Sequence, residues 1–497
     1  MSEINHADGA GAPAGPAAAP ASHDSPSSAQ TTIAALATAQ GSGGIAIVRL
    51  SGPLSGKLLA RLFVPGSAAF TGFRPWTLHH GRILDASGRE LDDVLCVLMP
   101  GPGSYTGEDC AEIHCHGGQA IVSAILETLF ACGAVPAKRG EFSRRAYLNG
   151  RMDLSQAEAV AELIAAPGRE ALEQSLRRLD GELSRRVTQV RSRLETVRVH
   201  MSLAVDFPDD EVEILDRPDF LVRVREAEQA LQELLCGVER ARVTRSGARV
   251  VLAGSVNAGK SSLMNALLGV SRALVTDVPG TTRDFIEESV LFGDLPVRLV
   301  DTAGLRDSDD TVESLGIERS REQIERADCL VLVVDGSAGD AAEDEGSVCP
   351  DRVVGDLLES APADLPVLVL WNKADLRRPS GRPAWCRRSG GGLPPFMCVS
   401  ALTGEGIDRF CETARDCILG SLPPAGESVA PNDRQARALR GAAGELSALS
   451  RDIEAGQLYD LLSVRLDMAC AFLDDAIGVG TAQDVLNRVF ESFCIGK

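Results

Sequence analysis

The feature that most restricts the fold of this 497-residue chain is an octapeptide, Gly254-Ser-Val-Asn-Ala-Gly259-Lys260-Ser261, which fits G-x-x-x-x-G-K-[ST]. It directly follows the apolar run Val250–Ala253 and opens a helical pattern, the strand–loop–helix context in which this motif wraps phosphates. The glycines let backbone N–H groups curl around an anion, Lys260 neutralises β- and γ-phosphate charge, and Ser261 can ligate magnesium. Asn257, Ala258, Gly259, Lys260, Ser261 and Ser262 are therefore candidate nucleotide-binding positions. Further elements follow in order. Thr281 and Thr282 stand where a switch threonine contacts magnesium, with Thr282 the candidate ligand. Asp301-Thr302-Ala303-Gly304 leaves a strand and offers a magnesium-side acid and a backbone amide for the γ-phosphate. Asn372-Lys373-Ala-Asp375 leaves a later strand; its carboxylate can accept from guanine N1–H and the 2-amino group, selecting GTP over ATP. Ser400-Ala401 closes the base pocket. Together they predict a magnesium-dependent GTP hydrolase. The slot after Gly304 holds Leu305, where Ras-like GTPases carry a water-orienting glutamine. Arg306, Asp307, Asp309, Asp310 and Glu313 are the nearby polar candidates for that task, and spacing does not rank them.

Around this site the runs Val297–Val300, Leu330–Val334, Val367–Trp371 and Phe396–Val399 read as strands buried on both faces of a parallel sheet. Gly336–Pro366 and Arg377–Pro395 read as surface loops. From Thr32 to about Leu148, short β-like runs (Ile45–Leu50, Val94–Met99, Cys110–Cys115) mix with short helical stretches. Ser155 and Glu158 fit a capping box, and Leu172, Leu176, Leu179, Leu183, Val187, Val190, Leu194 and Val197 form one apolar stripe on a long helix. The stripe is read as a bundle core in preference to a dimer seam. A further helix runs from Pro218 to about Arg242, and helical patterning returns after about Leu422. The expected architecture is multidomain: a disordered tail over 1–30, an N-terminal α+β domain over 31–150, a central helical bundle in two halves over 151–246 and 422–497, and an inserted Ras-like α/β P-loop GTPase domain over 247–421.

Composition adds a restriction on partners. With 50 Lys+Arg against 70 Asp+Glu the net charge is −20, which opposes a tight, autonomous nucleic-acid binder. Basic residues nevertheless concentrate at Lys138–Arg151 and Arg177–Arg198, so weak, local, salt-sensitive RNA contact is expected there. The first 30 residues hold 21 Ala, Gly, Pro or Ser, and no Lys or Arg precedes Arg49, unlike a signal or transit peptide. With no membrane-length apolar run and 13 scattered cysteines, the expected location is cytoplasmic.

Gly280-Thr-Thr-Arg-Asp284, Asp301-Thr-Ala-Gly-Leu-Arg306 and the final Phe493-Cys494-Ile-Gly-Lys497 resemble the MnmE (TrmE) family of tRNA-modification GTPases. So do Gly43-Gly-Ile-Ala-Ile-Val-Arg49, Ser104-Tyr-Thr-Gly-Glu108-Asp109, Gly140-Glu-Phe-Ser143 and Asp206-Phe-Pro208, and the likeness runs from Thr31 to Lys497. The resemblance implies a homodimer whose GTPase domains pair, with potassium in place of an arginine finger. Asn257, Thr276, Val278 and Thr281 match the family's potassium positions, Thr276 also bordering the nucleotide. Glu313 matches its catalytic glutamate, which separates that residue from its acidic neighbours. The resemblance further implies addition of a carboxymethylaminomethyl-type group to C5 of the wobble uridine of certain tRNAs, with the flavoprotein MnmG as partner. The one-carbon source implied is 5-formyl- or 5,10-methylene-tetrahydrofolate, at Arg49, Glu112, Arg151 and Lys497. Arg151 stands where some members have Lys, Gln435 where His is usual, and Ser255-Val256 where Arg-Pro is common.

Cys494 fails as a prenylation signal, because Gly496 is not aliphatic and no polybasic run precedes it. It reads as a functional thiol of the folate/tRNA site in preference to a buried structural one. Cys110, His114 and His116 match no standard zinc spacing. The GTPase motifs alone also fit a regulatory or ribosome-assembly GTPase, or a scaffold with a vestigial site. The N-terminal domain and Cys494 tail favour modification chemistry over the first, and the intact GTP motifs oppose the second.

Overall fold

The computed structural model describes residues 31–206, 216–270, 287–301, 323–337, 349, 351–379, 381–388, 392–424 and 429–497. The chain forms two compact units, one reaching Arg151 and including Phe493–Lys497, the other Met152–Ser492.

The first unit is built on a seven-stranded sheet. Its strands are β1 (Ile33–Leu36), β2 (Gly43–Ser51), β3 (Phe63–Pro65), β4 (His79–Leu84), β5 (Glu90–Met99), β6 (Cys110–Gly117) and β7 (Val135–Pro136), in the order β3-β4-β5-β6-β2-β1-β7. Period-2 alternation sends Ala46, Val48, Leu50, Ala111, Ile113 and Cys115 into a core shared with α1 (Ser55–Leu62) and α2 (Gln119–Ala131). Arg49 and Glu112 fall on the opposite face as direct cross-strand partners. A third helix, α3 (Glu141–Leu148), completes this α+β unit.

The last five residues join this unit, whereas the sequence pattern groups them with the helical half. The main-chain carbonyls of Phe493 and Lys497 accept from Arg139 Nε (2.9 Å) and Phe142 N (3.2 Å). Gly496 has φ +93, and a Cβ there would meet Leu36 O at 2.1 Å. Only glycine lets the tail lie so close to β1.

In the second unit, helices α4 (Leu154–Ala165), α5 (Arg169–Leu179), α6 (Glu182–Asp206), α7 (Arg217–Leu235) and α8 (Val238–Ser246) precede the GTPase sheet. The sheet contributes β8 (Ala248–Ala253), α9 (Lys260–Val270), β9 (Glu287–Phe292), β10 (Leu295–Asp301), β11 (Cys329–Asp335), α10 (Arg352–Ser360), β12 (Val367–Asn372), β13 (Phe396–Cys398) and α11 (Ile407–Ser421). Helices α12 (Asp433–Glu454), α13 (Tyr459–Ile477) and α14 (Gln483–Glu491) follow. One core joins Leu183, Val187, Val190, Leu194, Phe220 and Leu231 to Leu439, Leu446, Leu466 and Leu473, so the two sequence-distant halves form a single bundle around the inserted domain.

Four local expectations are corrected. The capping box is Asp153 with Gln156 (2.8 and 3.0 Å), two residues earlier than Ser155–Glu158. Ser155 and Glu158 lie inside α4, buried, and receive hydrogen bonds from Gln435 Nε2 (3.0 and 2.8 Å). The long stripe is broken at Gly181 (φ +74), leaving Leu172 and Leu176 on a separate helix with 41% and 43% exposure. The expected Pro218–Arg242 helix likewise divides into α7 and α8. Within Gly336–Pro366, residues 352–360 form α10, whose Val354 and Leu358 are buried, rather than surface loop.

The GTPase sheet has the order β13-β12-β11-β8-β10-β9, with β9 antiparallel to β10 and the other pairings parallel. Val250 and Leu252 pack to one side, Val251 and Ala253 to the other, as a strand covered on both faces requires. Among the described residues, no helix is long and apolar enough to cross a membrane.

Candidate functional site

The nucleotide motifs converge at the carboxyl ends of β8, β10 and β12 and just beyond β13, where ligands bind in open α/β sheets. The phosphate loop leaves β8 at Gly254, where a Cβ would lie 2.2 Å from Val333 O. Asn257 has φ +68, a left-handed turn that asparagine tolerates better than most residues. Gly259, at φ +90, passes so close to Asn372 that a Cβ would lie 2.2 Å from Asn372 Nδ2. Lys260 is buried and its Nζ donates to Gly254 O (2.9 Å) and Ser255 O (2.8 Å), which holds the cation inside the loop. Ser261 Oγ donates to Asp301 Oδ2 (3.2 Å), so the two oxygen donors predicted on the magnesium side are neighbours, and hard oxygen donors suit that ion.

On the base side, Asn372 Nδ2 donates to Ala258 O (2.9 Å) and its Oδ1 accepts from Ala401 N (3.2 Å), so one buried amide ties the phosphate loop to the base loop. Ser400 Oγ donates to Asp375 Oδ1 (2.5 Å) and fixes the carboxylate expected from the sequence to read guanine. Lys373, at φ +60, pairs with Asp335 at 2.6 Å. Burial works to raise the Asp335 pKa, but hydrogen bonds from Lys373 and Ser337 outweigh it and hold the carboxyl below its ordinary value. Sequence reading missed Asp335 and Asp351. The latter caps α10 through Val354 N (3.2 Å) and accepts from Ser255 N (3.2 Å), bracing the phosphate loop from a segment read as surface loop. Thr276, Val278, Thr281, Thr282, Thr302, Ala303, Gly304, Leu305, Arg306 and Glu313 lie outside the described residues, as does Phe207-Pro208.

A second site lies in the first unit. Arg49, Glu112 and Arg151 line one cleft of about 290 Å³, together with Trp76, Met99, Ser104 and Tyr105. The Arg49–Glu112 ion pair, at 2.8 Å, is largely shielded from solvent. The Arg49 guanidinium sits 5.6 Å from the Tyr105 ring centroid and 5.9 Å from that of Phe142, a paired cation–π arrangement. Tyr105 OH and Ser143 Oγ share a 2.7 Å hydrogen bond. Tyr105 and Phe142 lie within the Ser104–Asp109 and Gly140–Ser143 motifs, and nothing in the sequence sets them apart as site residues. Arg151 passes over Gly107, where a Cβ would lie 3.2 Å from Arg151 Cγ. Lys497 reaches the same charges: burial and the nearby Arg49 lower its pKa, with Glu112 and Cys494 acting in the opposite direction. The cleft thus combines two cations, an acid and aromatic walls with a terminal lysine beside it, a set able to hold an anionic, ring-bearing ligand.

Cys494 is exposed, whereas Cys110 lies buried against Thr106 and Ser51. His114 pairs with Glu112 (3.2 Å) and His116 with Asp92 (2.7 Å). The basic runs are more neutralised than the sequence implies. Arg145 is buried between Glu108 (2.9 Å) and Glu141 (3.0 Å), Arg178 is buried against Glu162, and Arg191 pairs with Asp474.

Comparison with known proteins closes the assignment. The model of the GTP-binding protein TrmE N-terminus matches residues 32–151, and that of the MnmE helical domain matches 154–494. A tRNA modification GTPase MnmE from Nitratidesulfovibrio vulgaris (strain DP4) is 50% identical over 473 residues, covering 94% of this chain and 99% of its own. Those of Lawsonia intracellularis and Moorella thermoacetica are 43% and 40% identical, each over 94% of this chain and 99% of their own. Matched by both family models and by relatives up to 50% identical over nearly their whole length, the chain belongs to the MnmE (TrmE) family of tRNA-modification GTPases.

Proposed function

We propose that this chain couples potassium-stimulated GTP hydrolysis to addition of a carboxymethylaminomethyl-type group at C5 of the wobble uridine of certain tRNAs, in the cytoplasm and together with the flavoprotein MnmG. The observation that carries the reading is the convergence of Arg49, Glu112 and Arg151 on one cleft with Lys497 beside it, although they come from distant parts of the chain. A GTPase that only times assembly has no use for such a cleft.

In the GTP site Lys260 holds the β- and γ-phosphates, Asp375 selects guanine, and Asn372 keeps the two loops in register. Ser261 and Thr282 would hold magnesium, with Asp301 beside Ser261, and Asn257, Thr276, Val278 and Thr281 would hold potassium. When bound, the cations neutralise charge developing on phosphate oxygens, and a 5-formyl- or 5,10-methylene-tetrahydrofolate supplies the one-carbon unit. Glu313 orients water through a second water, the task for which Leu305 has no polar group. In the cleft, Glu112 accepts from the pterin edge, while Arg151 and Lys497 attract the folate carboxylates. Cys494 is exposed beside Lys497 and is the nucleophile candidate at the folate/tRNA site. Ile45 (70% exposed) and Leu95 (40%) on the outward face of the first sheet support a homodimer through that face.

Two measurements test this. GTP turnover should be markedly faster in potassium than in sodium; equal rates refute the cation assignment. Mass spectrometry of wobble uridines from a deletion strain should show loss of the modification, and unchanged tRNA would favour a regulatory GTPase.

A further inference from the structure

The cleft contains one side chain that neither its ion pair nor the fold explains. Trp76 lines the cleft and is 59% exposed, whereas the side chains of Arg49 and Glu112 are 18% and 14% exposed. The indole therefore stands at the mouth and the ion pair at the floor. An indole stabilises a fold mainly by burial, and this one is mostly left in solvent. Its backbone is also strained: φ is +59, a left-handed conformation that a bulky side chain disfavours. The strain is imposed locally. Trp76 N donates to Leu98 O (2.9 Å), and Thr77 N to Arg74 O (3.3 Å), closing a turn against β5. Gly103 flanks the ring, its Cβ position only 3.9 Å from Trp76 Cζ2. Among the described residues the other non-glycine positions with positive φ are Asn257 and Lys373, and both belong to the GTP site. Strain of this kind collects where a ligand is held.

We propose that Trp76 is a ligand-stacking residue of the N-terminal cleft, its indole face carrying a flat ring of a reduced folate. By position this is the aminobenzoyl ring, with the pterin directed to the Arg49–Glu112 floor. The proposal rests on the folate reading of the cleft and adds a residue and an orientation to it. The backbone strain is what aims the ring: a relaxed turn would direct the side chain elsewhere.

The test is calorimetric titration of the full-length chain with 5-formyltetrahydrofolate, alongside thermal melts and gel filtration, for wild type, Trp76→Phe, Trp76→Ala and Trp76→Gly. Loss of a ring stack comparable to a base on an aromatic side chain predicts Kd weakened by about tenfold or more in the Ala and Gly variants, with Phe within ~threefold of wild type. Trp76→Gly should keep or raise Tm, because relief of strain opposes the entropic cost of glycine. A Trp with only a structural role would lower Tm without touching affinity. Quenching of tryptophan fluorescence by the folate should be clearly smaller in Trp76→Phe than in wild type. If wild type binds and the Ala and Gly variants bind equally well, the stacking role is overturned while the folate reading stands. If wild type fails to bind, both are overturned. Dissociation of a dimer in Trp76→Ala with unchanged affinity would mark the indole as a contact between copies and also overturn the proposal.

Discussion

In the GTP site the ligating groups arrive in short runs from the ends of neighbouring parallel strands, whereas the N-terminal cleft draws on residues 49, 112 and 151, with the final residue at its side. The first is built largely of backbone, shaped by glycines 254 and 259 and a left-handed Asn257. The second is built of side chains, preset by a cross-strand ion pair and two aromatic rings. Backbone sites tolerate almost no added atom, and side-chain sites tolerate almost no lost charge. Each should fail in its own way.

The largest expected effect is in the GTP site. Lys260→Ala should lower steady-state phosphate release by roughly a hundredfold or more, because an uncompensated phosphate charge costs several kcal/mol in a shielded loop. Folate affinity should change by less than ~twofold; a parallel loss would break the contrast between the sites. Gly259→Ala should weaken GDP binding by about tenfold or more, since its methyl would overlap Asn372 in a strained backbone. Normal binding by this variant would show that the loop yields more than a backbone-built site can.

In the cleft, Glu112→Gln leaves Arg49 shielded without its anion. The expected cost is ~1–3 kcal/mol of stability and about tenfold in folate affinity, with GTP turnover unchanged. Thiol chemistry sharpens the picture of the tail. Burial pushes Cys96 up to about 12 and Cys115 up to about 11, so iodoacetamide should modify the exposed Cys494 and Cys236 first. Folate should protect Cys494 and not Cys236, as peptide mass mapping would report.

The smallest effect concerns His116, whose imidazole is held above 6.5 by its hydrogen bond to Asp92. Protonation then favours the fold, fully below pH 6.5 and less as pH rises through the raised value. Wild type should lose slightly more Tm than His116→Gln between about pH 6 and pH 8.

The same contrast explains what the sequence disclosed. A contiguous motif survives translation into one dimension, so Gly254–Ser261, Asn372–Asp375 and Ser400 were legible from spacing alone. Arg49 and Glu112 acquire meaning only through the β2–β6 register, and Lys497 only once Gly496 lets the tail reach β1. Without the family resemblance they were ordinary charged residues. Asp351 was hidden because a capping aspartate in an acid- and glycine-rich stretch looks like loop. The capping-box misplacement has a similar origin. Asp153-x-x-Gln156 and Ser155-x-x-Glu158 are both valid signatures, and only the buried hydrogen bonds of Glu158 to Asn432, Arg434 and Gln435 decide between them. The long Leu172–Val197 stripe hid a break because Gly181 interrupts the helix without interrupting the apolar period.

The central claim is that two differently built sites serve one modification. The most direct measurement is mass spectrometry of wobble uridines from cells whose only copy of this chain is wild type, Lys260→Ala or Glu112→Gln. The account predicts that both variants lose the carboxymethylaminomethyl-type product, although only Lys260→Ala loses GTP turnover. Full modification in cells carrying Glu112→Gln would contradict it.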